Sequence, residues 1–149
     1  MSSNKIFNAK TTSKKELRKL ACKLGYSLGV KKLRFSHKSK HIDGSYNYES
    51  RNIYVNGRLQ KKRFLIAFFH ELAHHIASVH QHKWLTYHND ASTPLLSPKA
   101  KFLIENKIDK LAKKLWFKYV NIKQWGHYSY GYPKTQEKYI TEWIKEYYN

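Results

Sequence analysis

The chain has 149 residues, 41% hydrophobic and 15% aromatic, with 29 Lys and Arg against 10 Asp and Glu and a formal charge of +19. That length and apolar content suit one folded domain, residues 1 to 149, and exclude a disordered tail. A single cysteine, Cys22, excludes an intramolecular disulfide and any cysteine-built zinc knuckle.

The charge suits a nucleic-acid or other polyanionic partner. Plentiful Lys, Asn, Tyr and Ile are also what an AT-rich genome encodes, so charge alone does not define a function. The opening MSSNKIFNAKTTSKK has no apolar leader, and the longest apolar run, Phe64 to Phe69, is far too short to span a bilayer. A cytoplasmic protein is expected.

Residues 1 to 11 read as a loose basic start. Ser13-Lys14-Lys15-Glu16 is a capping box, and Leu17, Leu20, Ala21, Leu24 and Leu28 follow at helical spacing, with Gly25 and Gly29 as candidate stops. Lys32 to Ser36 is a candidate short strand. "SYNYES" and "RNIYVN" alternate large and polar residues as a hairpin or small meander does, and Asn56-Gly57 closes it. A second helix begins near Leu59 and is apolar almost all round, the mark of a buried helix. The stretch from His80 to Pro98 is polar and irregular. Ser97-Pro98 opens a third helix with a cap residue followed by proline at the first turn. A Trp-, Tyr- and Gly-rich loop then leads to a last helix over residues 134 to 149. The expected class is α+β and zincin-like: a small antiparallel hairpin or meander packed on the second helix and on further helices.

Six of the nine histidines fall between positions 70 and 88. Among them, His70-Glu71-Leu72-Ala73-His74 has a spacing that carries chemistry. Residues four apart on a helix stack on one face, so His70 and His74 can hold one zinc ion through neutral imidazoles. Glu71, one residue on, can serve a water held there as general base and acid. Phe64, Leu65, Phe68, Leu72 and Ile76 surround the motif. Burying two histidines and a glutamate without a partner costs several kcal/mol, which a metal removes.

A catalytic zinc needs a third protein ligand. His80 follows at metzincin spacing, but Ala77 stands where that arrangement needs a glycine to end the helix. His82 and His88 can reach back from the loop. Glu105 is preferred: at about 100° per residue it shares a face with Phe102, Ile108, Asp109, Ala112 and Trp116. Asp109, one turn on, can accept the second ring N–H of a ligating histidine.

Helix, aromatic hairpin ("GSYNYESRNIYVN"), "FLIAFFHELAHH" and then "ENKIDKLAKKL" together resemble the ImmA/IrrE-type metallopeptidases, over residues 13 to 119. These are gluzincin-like zinc endopeptidases of phages, mobile elements and bacteria. The resemblance implies His70 and His74 as ligands, Glu71 as catalytic acid/base and Glu105 as third ligand. It also implies an intracellular protein substrate lying along the hairpin edge by strand addition.

"HELAHHIASVHQHKW" also resembles the SprT/Wss1-like proteases of DNA-bound proteins, with His80 or His82 completing a three-histidine site. A third reading is a non-catalytic basic DNA-binding protein with a structural zinc site. Trp116, Trp125, Tyr128 and Tyr130 stand near lysines and suit base stacking. His127 or a tyrosine of the 128 to 132 loop is a candidate oxyanion donor.

Overall fold

The computed structural model describes residues 6 to 35, 43 to 80 and 98 to 121, with side chains described from residue 107 onward in the last of these stretches. The elements are α1 (Lys14–Ser27), β1 (Lys32–Arg34), β2 (Gly44–Asn47), β3 (Asn52–Val55), α2 (Lys61–Val79) and α3 (Pro98–Tyr119). The expected helix over 134 to 149 and the loop at 121 to 133, apart from Asn121, lie outside the described residues.

The start of α1 follows its sequence signal. Ser13 is extended and its hydroxyl accepts the Glu16 N–H. Leu17, Ala21 and Leu24 form its buried stripe. Gly25 stays within the helix, and the stop falls at Gly29, where φ is +95°. There Val30 N–H reaches back to Gly25 O and Gly29 N–H to Tyr26 O, a Schellman ending that needs the left-handed backbone only glycine adopts freely.

The sheet corrects one expectation. β2 and β3 form the antiparallel hairpin, in register from Gly44↔Val55 to Asn47↔Asn52. β1, however, pairs parallel with β3, giving a mixed sheet of order β1-β3-β2 rather than an antiparallel meander. The physical reason lies in β3, whose Ile53, Tyr54 and Val55 are all buried. The most apolar strand takes the centre, where both of its edges are paired. The outer edge of β1 is met by the Tyr26 hydroxyl, which accepts the Leu33 N–H. Asn47 Oδ1 accepts from the N–H groups of Glu49 and Ser50 to turn the hairpin.

α2 is the axis of the molecule. Every residue from Phe64 to His75 is buried, as its all-round apolarity predicts. One side packs on β2, β3 and α1, and the other on α3. Phe69 meets Trp116 and Tyr119, while Ala73 and Ala77 pack with Ile108 and Ala112, so the two helices run antiparallel. The alanines let the helices lie close where the histidines stand.

The described part of the chain's start, from residue 6 on, is tied to the end of α3. Phe7 is fully buried, packs edge-on against Phe69 and bridges to Val120. Its N–H donates to Tyr119 O, and its own carbonyl accepts the Asn121 N–H. No helix among the described residues is long and apolar enough to cross a membrane.

Candidate metal centre

His70, Glu71 and His74 are brought together on α2, each at most 5% exposed. One candidate ligand atom from each lies within 4.8 Å of the others. The two imidazoles sit 5.0 Å apart at 66°, one turn above each other as their spacing requires. Because α2 is packed on all sides, its rotation is fixed by the core, and with it the direction of this triad.

The hairpin fixes the rings. Tyr46, in β2, and Tyr48, in the turn that follows it, both reach α2. The Tyr48 hydroxyl is hydrogen-bonded to His74 Nδ1, and its ring stands edge-on to that imidazole at 5.7 Å. The Tyr46 hydroxyl meets His75 Nδ1 at 2.8 Å, while His75 Nε2 lies 2.7 Å from Leu28 O. A carbonyl only accepts, so His75 Nε2–H donates to it and Nδ1 accepts from Tyr46.

His75 is thus a neutral imidazole with both nitrogens engaged. Burial above all keeps its pKa below the ordinary value. The bond to Leu28 works the other way, and the positive charge of Arg51 adds to the lowering. His74 differs in its partner: its Nδ1 is engaged by the Tyr48 hydroxyl.

Glu71 stands against β2. A Cβ placed on Gly44 would come within 3.1 Å of Glu71 Cγ and 2.9 Å of Tyr54 O. Only glycine lets the strand and this carboxylate approach so closely. Among the described residues β2 is an edge strand, paired only with β3.

Other expected site residues fall differently. Glu105 belongs to α3, and its side chain lies outside the described residues. Of the residues expected to share its face, Ile108, Ala112 and Trp116 are fully buried. Asp109, half-buried, lies at the edge of that face. His80 caps the end of α2 and is exposed, because the helix runs on through Val79 without the sharp turn that metzincin spacing needs. His82, His88, Trp125, His127 and the tyrosines of the 128 to 132 loop lie outside the described residues. Trp116 is fully buried against Phe69, which removes it as a stacking surface.

The donor set suits a metal ion. Two imidazoles at helical spacing offer borderline-soft nitrogens, the tyrosine on His74 Nδ1 orients Nε2, and a carboxylate stands beside them in a site shielded from bulk water. The residues that sequence reasoning did not assign to the site are Tyr48, Tyr46, Gly44 and His75. The paired tyrosines at period two were the available signal for the first two. Neither protein-family models, nor curated proteins, nor solved structures match the chain.

Proposed function

We propose that the protein is a zinc-dependent peptidase acting on an intracellular protein substrate, with its centre at His70, Glu71 and His74. The observation that carries this reading is the buried triad on α2, with the Tyr48 hydroxyl hydrogen-bonded to His74 Nδ1. His70 and His74 hold the ion, and Glu105 is the third protein ligand from α3. Zinc bound there supplies a Lewis acid that polarises a carbonyl and acidifies a water. Glu71 accepts the proton of the attacking water and returns it to the leaving amine. An extended substrate adds to the open edge of β2, which brings its backbone past Glu71 at Gly44.

The ImmA/IrrE-type resemblance agrees with this arrangement. The three-histidine, SprT/Wss1-like alternative gains no support from His80, which is exposed beyond the end of α2.

Zinc content after dialysis, measured for wild type, Glu105→Ala and His80→Ala, tests the ligand set. About one zinc per chain in wild type, lost only in Glu105→Ala, is the expected result. Loss in His80→Ala instead would transfer the site to the three-histidine reading, and a zinc-free wild type would end both. Glu71→Gln is expected to keep the metal while losing peptide cleavage, and an active variant would remove Glu71 from the mechanism.

A further inference from the structure

The side of α3 turned away from α2 has a composition that packing does not explain. At about 100° per residue, Lys110, Lys113, Lys114, Phe117 and Lys118 fall within an arc of about 140°. All five are exposed, and Phe117, 40% exposed, is among the few large apolar residues of the described chain open to water. None of the four lysines makes an ion pair among the described residues, in contrast to Arg63, which meets Asp43 at 2.8 Å. Asp109, the described acid of this helix, lies outside the arc. The opposite face, through Ile108, Ala112 and Trp116, is fully buried, which holds the helix rigid and aims the lysines outward.

We infer that this face of α3 binds the backbone of single-stranded nucleic acid. Four lysines over about 12 Å of helix match the density of charge on a phosphate backbone. Uncompensated positive charge of this kind releases counterions on binding a polyanion. Phe117, set among the lysines, offers a base a ring to stack on, and stacking is tolerant of sequence because every base has a flat face. An anionic membrane fits less well. A helix that lies in a bilayer inserts its apolar face, and that face of α3 is already committed to the core. The surface looks away from the side of α2 that meets β2, so nucleic acid bound here leaves the candidate metal centre open.

The proposal does not depend on peptidase activity. It is tested on the full chain by fluorescence anisotropy with a short fluorescein-labelled DNA strand, titrated at several salt concentrations. The first variant carries Lys110→Gln, Lys113→Gln, Lys114→Gln and Lys118→Gln. A control carries Lys15→Gln, Lys19→Gln and Lys23→Gln on the exposed side of α1.

The α3 variant is expected to weaken binding at least tenfold and to flatten the slope of log K against log salt by about 0.7 for each phosphate no longer neutralised. The control is expected to stay within about threefold. Phe117→Ala is expected to weaken binding to the single strand more than to the matching duplex. Equal losses in the α1 and α3 variants would overturn the proposal, since the binding would then be diffuse charge. So would an unchanged salt slope in the α3 variant, or phosphatidylserine vesicles bound more tightly than the DNA. An unaltered thermal midpoint in each variant shows that the readings report the surface and not the fold.

Discussion

The Tyr48 hydroxyl is hydrogen-bonded to Nδ1 of His74, across the gap between the hairpin and the buried helix. A neutral histidine carries one N–H, so this partner decides which nitrogen is left to face the triad. When His74 serves as a ligand, Nδ1–H donates to the tyrosine oxygen and Nε2 carries the lone pair. Outer partners of this kind orient ligating rings, and removing one lowers metal affinity about 10- to 100-fold. Tyr48→Phe is expected to lose zinc affinity on that scale with the fold retained, as read by competition with a chromophoric chelator. An unchanged affinity would show that α2 packing alone orients His74.

Tyr46→Phe separates the stability of the fold from the proposed metal binding. Tyr46 donates to His75 Nδ1, and His75 is fully buried. Removing the hydroxyl leaves that acceptor without its donor, at a cost of about 1–3 kcal/mol. Urea unfolding is expected to register this loss, with zinc affinity per folded molecule close to wild type. The opposite pattern would assign His75 to the metal centre.

Gly44→Ala tests the approach of β2 to Glu71. The added Cβ would stand 2.9 Å from the Tyr54 carbonyl, a backbone atom that cannot swing aside. Either the strand or the carboxylate must move. Overpacking of this kind costs about 1–3 kcal/mol. The expected outcome is zinc content near wild type with cleavage reduced at least tenfold. Full activity would place the substrate elsewhere than along this edge.

Cys22 is expected to be a slow thiol. Burial raises its pKa, against the opposing hydrogen bond with Tyr26. A raised pKa favours the neutral form in the folded chain, so its contribution to stability is present below about pH 8.5 and is lost as pH rises through the folded value. Disulfide-exchange reagents at pH 8 should therefore react faster with the denatured protein than with the native one. Equal rates would mean that the thiol is not shielded.

How far the sequence discloses this structure depends on the range of the interactions involved. The cap at Ser13, the proline start at Pro98 and the buried character of α2 are set by neighbours within a turn or two, and all are readable. So is the triad, because helix geometry alone stacks His70 on His74. The parallel pairing of β1 with β3 is not, since Lys32-Leu33-Arg34 alternates equally well in either direction and only the competition for the centre of the sheet decides. Phe7 is a single aromatic in a polar stretch and has no period to give it away. Tyr48 reads as a strand residue but falls in the turn after β2, and its bond to His74 joins residues 26 positions apart, which no local pattern encodes.

The pairing of Phe7 with the end of α3 also sets an order of events during synthesis. Ala9 N–H donates to the Asn121 side chain across 112 residues of chain. A ribosome that has released α1, the sheet and α2 has therefore made nearly all of the core but not the piece that covers Phe7. Until Trp116 to Asn121 emerge, one flank of α2 stays open to water or to a chaperone. The histidines on that helix gain their final surroundings only when the chain's beginning and the end of α3 have found each other, so a nascent chain stalled before α3 should leave any zinc it captures open to exchange.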